Sequence, residues 1–405
     1  MPTMSAFRKA GLAAGVAGGL LVAACGDDGT GPGPLPAAFT SVAAGLIHSC
    51  GIVEGGALYC WGNNQWGQLG DGSLSSREAP VPVLGSLLLA AVSPGGGHTC
   101  GLTPQGKVYC WGFNLNGQLG DGTTANKTTP ISIDAARTYF KLGAGASYTC
   151  GIAADSAAYC WGWNQFSQLG DGTASDRYRP TAVAGGHKFA SISASSFHTC
   201  AVTSAGKAYC WGSNSFGQLG TGDTTASATP VEVQTGIVFA EVDVGFHHTC
   251  SRAVGGAEYC WGRNQWGQLG ATDSLLGNSQ FLPTPVDGGM AWTSLAAGAN
   301  FSCGIEAQTE AGYCWGYNGW GQLGAEVPGQ CLDQNGRVTE CSATPYPVSG
   351  NVQFATISAA THHACGLSTQ GVAYCWGLNE DGQLGNGQAG DNAFSIQPVR
   401  VSGQP

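Results

Sequence analysis

Three residue series in the 405-residue chain have types and spacings that could do chemistry. Sixteen cysteines fall into eight local pairs: Cys50 with Cys60, Cys100 with Cys110, Cys150 with Cys160, Cys200 with Cys210, Cys250 with Cys260, Cys303 with Cys314, Cys331 with Cys341 and Cys365 with Cys375. Cys25 is left over. Paired thiols either oxidise or ligate zinc, and zinc needs CxxC-like spacing with a second pair converging on it, which is not the pattern here. His48, His98, His198, His248 and His363 each stand two positions before the first cysteine of a pair, a series that would suggest a metal ring. Tyr148 and Phe301 interrupt it, so these side chains are read as packed, hydrogen-bonded structural groups and no metal site is expected. Asp71-Gly72, Asp121-Gly122 and Asp171-Gly172 could supply carboxylates for acid–base work. Thr221 and Ala271 fill the same slot, however, and Asp after a tight Leu-Gly is turn chemistry. Asp333 to Glu340 approximates a calcium loop but misses the twelve-residue spacing. With no Ser/His/Asp signature, P-loop or HExxH motif, neither a catalytic residue nor a cofactor is expected.

The elements that would position these groups are set by repetition. Tyr-Cys-Trp-Gly recurs at Tyr59, Tyr109, Tyr159, Tyr209, Tyr259, Tyr313 and Tyr374, each followed by Gly-Gln-Leu-Gly or a close variant. The first steps are 50 residues; the last two, 54 and 61, place insertions in the fifth and sixth connections. One repeat divides into strand regions at Phe39 to Ser49, Cys50 to Val53, Ala57 to Trp61 and Val81 to Val83, with Pro80 suiting an edge strand. Four short strands per repeat, seven times, predict an all-β, seven-bladed β-propeller, since a solenoid would need polar caps. Composition agrees: 67 glycines and only 10% charged residues disfavour long helices, and 43% hydrophobic residues disfavour disorder. In the hairpin Val53 faces Ala57 across Glu54-Gly55-Gly56, and counting outward sets Cys50 opposite Cys60. The same count elsewhere predicts one cross-strand disulfide per blade, each contributing about 2 to 3 kcal/mol, while the pair Cys331 and Cys341 staples an insertion.

Residues 1–24 read as an export signal, with Arg8-Lys9 followed by an apolar stretch from Gly11 to Ala24 too short to span a bilayer. Val22-Ala23-Ala24-Cys25 resembles the lipobox of bacterial lipoproteins, which implies acylation of Cys25 and a body facing the periplasm or exterior, touching the membrane through its lipid alone. Residues 25–37 form the Gly/Pro tether and 38–405 the propeller, expected to be monomeric. Export favours oxidised cysteines. The whole chain carries a formal charge of −10, and no run of Lys or Arg exists, so nucleic acid is not an expected partner.

The unit from His98 to Thr123 resembles the regulator of chromosome condensation (RCC1) repeat, and the resemblance covers Phe39 to Val401. It implies a seven-bladed propeller and leaves function open: the eponymous nuclear protein exchanges guanine nucleotides, a secreted bacterial relative inhibits β-lactamases, and a plant photoreceptor uses clustered Trp. An export signal, paired cysteines and an acidic balance depart from the nuclear type. Seven of the 12 Trp belong to the strand motif and read as core. Where the repeats differ, the fold does not dictate the residue. The slot in Trp-Gly-x-Asn holds Asn63, Phe113, Trp163, Ser213, Arg263, Tyr317 and Leu378, rich in the types that dominate interaction hot spots. With Asp333, Asn335 and Arg337 of the insertion from Ala325 to Ala343, these form the expected contact face. The function expected is a rigid scaffold presenting loops to a protein or surface glycan; the alternative is an envelope enzyme, using acids of the central funnel, or an enzyme inhibitor.

Overall fold

Each repeat closes a tight antiparallel hairpin on its paired cysteines, and the rest of the blade is built outward from it. The computed structural model describes residues 35, 37–271, 277–332 and 337–405. The export signal, the Cys25 lipid site, Asp333 and Asn335 therefore lie outside the described residues. In the first blade β1 is Phe39–Ala44, β2 His48–Val53, β3 Leu58–Gly62 and β4 Arg77–Pro82, paired in that order. The expected first strand region is thus broken by a turn at 45–47, because a Cβ on Gly45 would stand 2.8 Å from the carbonyl oxygen of Gly95 in the next blade. The outer strand begins earlier than expected, at Arg77, and bulges opposite Trp61 before Val81 pairs with Cys60. The described residues form seven such antiparallel sheets, one per repeat and each from contiguous sequence. The sixth carries the extra strand Gln330–Leu332 on Val338–Pro347, so the insertion extends this blade as a hairpin.

Every cysteine pair counted out from the hairpin turns is a disulfide. In the first five blades Cys50 is bonded to Cys60, Cys100 to Cys110, Cys150 to Cys160, Cys200 to Cys210 and Cys250 to Cys260. In the last two Cys303 is bonded to Cys314 and Cys365 to Cys375. Each of these seven bonds joins register partners of adjacent strands, with Cα separations of 4.0 to 4.1 Å, the close pairing of an antiparallel ladder. The eighth bond differs: Cys331 is joined to Cys341 across the hairpin of the insertion, where Cys331 pairs in register with Thr339 and the Cα atoms stand 5.9 Å apart. All sixteen cysteines are buried, which places them in the frame and not on a contact surface.

The cores lie between blades: Cys50, Ile52, Leu58, Cys60 and Leu69 of the first blade pack against Leu89 and Trp111 of the second. Each motif Trp is fully buried at such an interface. A buried indole N–H needs an acceptor, and Trp111 Nε1 donates to the Gln68 carbonyl of the preceding blade at 2.9 Å. Gly70, the last residue of Gly-Gln-Leu-Gly, has φ of +71°, and a Cβ there would stand 2.7 Å from that same indole nitrogen.

The histidine series joins neighbouring blades. Nε2 of His48, His98 and His198 lies 2.8 Å from the hydroxyls of Thr99, Thr149 and Thr249, and His248 meets Ser302 and His363 meets Ser49 at 2.9 Å. Each hydroxyl in turn donates to a Gln carbonyl, as Thr99 does to Gln68 at 2.8 Å. Tyr148 replaces histidine by reaching the Thr199 hydroxyl at 2.9 Å. In the sixth blade, where Phe301 has no polar atom to offer, the next blade has Ala364 in the hydroxyl position. The polar partner is kept only where both members are polar, because a lone buried donor or acceptor costs free energy. The His363–Ser49 contact and the Trp61 bond to the Gln383 carbonyl (3.0 Å) close the last blade onto the first. Leu35 N donates to the Gly403 carbonyl at 2.7 Å, joining the two ends of the described body. Among the described residues no helix is long and apolar enough to cross a membrane.

One blade breaks the pattern in its core. Glu258 occupies the position of Leu58, Val108, Ala158 and Ala208, is buried, and neither carboxyl oxygen has a hydrogen-bond partner. It lies beside Cys250 and Cys260, but those sulfurs are bonded to each other and are not free to act as thiolate ligands. Burial, reinforced by Glu241, pushes its pKa well above the usual carboxylate range. A pKa raised by folding means stability is lost as pH rises from the unfolded value near 4.5. Glu258→Leu is expected to raise the melting temperature, by the equivalent of about 1 to 3 kcal/mol, with the gain growing between pH 5 and pH 8 in parallel melts. A variant less stable than the parent at pH 8 would show that the carboxyl has a function in the core.

Candidate functional site

Two loops of every blade meet at one end of the propeller. His48 pairs with Gly62, so the turn at 45–47 and the loop that leaves the third strand at Gly62 open onto the same face. That loop is held from inside. Asn64 Oδ1 accepts from Leu69 N at 2.9 Å, and the equivalent Asn does so in the other six blades, from Asn114 at 2.9 Å to Asn264 at 3.1 Å. Gln68 Oε1 accepts from Trp66 N at 3.0 Å. The Asp-Gly series completes the brace: Asp71 accepts from Ser73 N (2.9 Å), Ser73 Oγ and Asn64 Nδ2, and pairs with Arg77 at 2.9 Å. Although partial burial works against it, those bonds and Arg77 hold the Asp71 carboxyl below the usual range. These aspartates are turn residues, as their place after Leu-Gly suggests.

On this braced frame the variable slot is brought together with two residue classes that the sequence reading did not assign. Phe113 packs on Trp66 with ring centroids 5.0 Å apart. Trp163 meets Phe166 at 5.3 Å, Phe166 meets Phe197 at 5.2 Å, and Phe197 stacks on His247 at 5.1 Å. His247 touches Phe216 at 5.0 Å, and the Arg263 guanidinium lies 5.1 Å over the Phe216 ring. Arg263 also donates to Gln265. Tyr317 packs on Trp266 at 5.1 Å, both against the disulfide between Cys331 and Cys341 in the insertion. Tyr317 approaches His362 at 6.3 Å, which Trp320 approaches at 6.5 Å.

The slot residues are accordingly half-buried against neighbouring loop residues, apart from Ser213, which is buried, and Asn63, half-buried too, whose Nδ2 donates to Asp381 at 2.9 Å. Leu378 is half-buried beside the exposed Phe394, its register partner, and Arg337 is exposed next to Val338, at the turn end of the insertion's hairpin. Leu115, 64% exposed, and Phe166, 43% exposed, are among the exposed apolar side chains of these loops. Burial lowers His247 and His362 to about 4, with Arg263 adding to the shift of His247, so both rings are neutral at physiological pH. A signal for the missed aromatics was present: of the five Trp outside the strand motif, Trp66, Trp163, Trp266 and Trp320 all sit in these loops, and Trp292 lies in a core between blades.

The acids of the central funnel are Glu241 and Asp243, on the innermost strand Phe239–Val244 of the fifth blade. Asp243 accepts from Ser193 Oγ at 2.5 Å and from Ala297 N at 2.9 Å, and Glu241 from Arg252 Nε at 2.8 Å.

Comparison with known families matches the description "Regulator of chromosome condensation (RCC1) repeat" at residues 55–102, 105–152, 155–202, 205–251, 256–305 and 370–405. A second family with the same description matches 39–68, 90–118, 189–218 and 354–383. Among solved structures, yeast RCC1 (Prp20) with Kap60 bound is 19% identical with a TM-score of 0.75, over 96% of this chain and 91% of that one. Prp20p of Saccharomyces cerevisiae, described with its binding to Gsp1p and histones, is 20% identical with a TM-score of 0.74, over 90% and 87%. Human WBSCR16 is 18% identical with a TM-score of 0.73, over 85% and 94%. At these identities the likeness concerns the fold.

Proposed function

The chain belongs to the regulator of chromosome condensation (RCC1) repeat family, and from that premise we propose that it is an extracytoplasmic scaffold, lipid-anchored through Cys25, that docks another protein on its aromatic loop face. The observation that carries this reading is the run of ring contacts from Trp163 through Phe166, Phe197 and His247 to Phe216 and Arg263. Rings and a guanidinium fixed by their neighbours lose little freedom on association, and they are the types from which hot spots are made. The run crosses three blades at positions where the repeats vary, so the scaffold itself does not demand these residues. Eight disulfides fit an oxidising compartment, which supports the export reading and sets nuclear-type nucleotide exchange aside. The yeast relative's partners, Kap60, Gsp1p and histones, are proteins, which favours a protein over a glycan here. Binding is favoured over catalysis because Asp243 and Glu241 already spend carboxyl oxygens on Ser193, Ala297 and Arg252.

The test uses the oxidised chain as bait against envelope extract from its own source. Capture of one protein, competed by free propeller and reduced about tenfold or more in a double variant carrying Leu115→Asp and Phe166→Asp, is the expected result. Leu115 is exposed and Phe166 keeps 43% of its surface in solvent although it packs on Trp163 and Phe197, so that variant should keep a cooperative melt. Capture of a polysaccharide, or undiminished capture by the variant, would overturn the assignment.

A further inference from the structure

The central channel holds a second feature, separate from the loop face. The innermost strands line it, and the residues two and four places after Phe39 and its equivalents are small and neutral in most blades: Ser41 and Ala43, Ala91 and Ser93, Ser191 and Ser193, Ser294 and Ala296, Thr356 and Ser358. Charge enters these positions only at Lys141 in the third blade and at Glu241 and Asp243 in the fifth. The channel has a volume of about 320 Å³, and all three charged residues line it together with Ser191 and Ser193 of the blade between them. Its remaining wall is built of small residues with Ser93, Ser195 and Ser358 among them, and Phe246 stands where the channel meets the turns of the loop face.

These groups are not equally engaged. Asp243 is tied to the wall by Ser193 Oγ and Ala297 N. Glu241 is held by Arg252 through one oxygen, at 2.8 Å, which leaves the other facing its surroundings without a bond among the described residues. Lys141 is exposed; it acts on Asp243 through its charge, with no hydrogen-bond or ion-pair partner among the described residues. Beside it Gly143 takes the second of the two lining positions, where a Cβ would stand 3.2 Å from Ala194 N of the next blade. An ammonium and a carboxylate oxygen, separated by the width of one serine-lined blade with the Phe246 ring at the channel's end, form a bipolar receptor.

We propose that this channel binds a small zwitterion, an apolar α-amino acid or a dipeptide with free termini, with its carboxylate on Lys141 and its ammonium on Glu241. Ser191 would bridge the two ends, and Phe246 would receive the side chain. Charge-assisted hydrogen bonds at both ends make recognition depend on both termini together, because each terminus left unmatched inside the channel is desolvated without return. The volume, about the liquid share of ten waters, suits a ligand of this size and excludes a folded partner.

Isothermal titration of the full oxidised chain with leucylleucine, N-acetyl-leucylleucine and leucylleucinamide tests it. The free dipeptide is expected to bind, with each blocked form weaker by about tenfold or more. Lys141→Met should erase the preference for the free carboxylate, and Glu241→Gln the preference for the free ammonium. Leu115→Asp, on the loop face, should leave dipeptide binding unchanged, so failure here and failure of the docking reading are told apart. No binding at millimolar dipeptide, equal binding of the free and both blocked forms, or sensitivity to one terminus alone would overturn the proposal. Should either channel variant lose its cooperative melt, the blocked-ligand series on the parent chain decides alone.

Discussion

A chain unfolded and fully reduced is expected not to regain a cooperative melting transition until its thiols are reoxidised. Seven disulfides close hairpins whose cysteines lie ten or eleven residues apart, and each small loop is worth about 2 to 3 kcal/mol in the chain-entropy model. Even with strain and non-additivity, seven such staples rival the about 5 to 15 kcal/mol that separates a folded domain from its unfolded chain. This chain depends on them more than most, because 67 glycines enlarge the freedom of the unfolded state and only 10% of residues are charged to make surface pairs. The sulfurs are buried in the layers between blades, so reductant reaches them only in opened molecules. Fluorescence of the buried Trp series, recorded during refolding with and without oxidant, provides the measurement. A paired variant in which Cys150→Ala and Cys160→Ala are combined should lose about 2 to 3 kcal/mol alone. A reduced chain that melts at the same temperature as the oxidised one would overturn the claim that the blades are held by their staples.

Much of this architecture was legible because the repeat imposes the same local rules seven times. A three-residue hairpin loop fixes the cysteine register by counting, and Tyr-Cys-Trp-Gly marks one strand per blade; both readings match the pairing of Cys50 with Cys60 and of Cys365 with Cys375, and the burial of Trp61. Strand ends were less legible. The break after Ala44 depends on Gly45 pressing against the Gly95 carbonyl of another blade, a contact that no local pattern encodes. The loop face was half legible. Variation among repeats singled out Trp163, Arg263 and Tyr317, but their neighbours Phe197 and His247 come from a different turn, and their stacking follows from ring closure. Glu258 also escaped the reading, since it follows an ordinary Gly-Gly-Ala turn and only the interface behind it makes its carboxyl costly. The pairing of Phe301 with Ala364, by contrast, was written in the sequence all along, as the simultaneous loss of His from one repeat and hydroxyl from the next.

That last correspondence gives the second large effect, a steep loss of stability on acidification between pH 6.5 and pH 4. Burial lowers His48, His98, His198, His248 and His363 from 6.5 to about 3, with neighbouring histidines adding to the shift for His48, His198, His248 and His363. In this window the unfolded chain takes up protons at these rings and the folded chain does not, so stability rises with pH and is lost as pH falls from 6.5 toward the folded values. Each ring contributes a slope of about 1.4 kcal/mol per pH unit where the two states differ by a full proton. The braced aspartates Asp71 and Asp171 lie below their usual 3.8, so they add their own loss only at lower pH. Glu258, raised by folding, opposes the histidines by one proton. A double variant, His198→Phe with Thr249→Ala, installs the arrangement of Phe301 and Ala364 at another interface, removing one titrating ring together with its partner. Denaturant melts from pH 4 to pH 7 should give it a slope smaller by about one histidine's share, 1.4 kcal/mol per pH unit, whereas Thr249→Ala alone should keep the slope and lose about 1 to 3 kcal/mol at neutral pH. If the double variant keeps the full slope, acid sensitivity has another source, and the ring of histidines is packing without proton linkage.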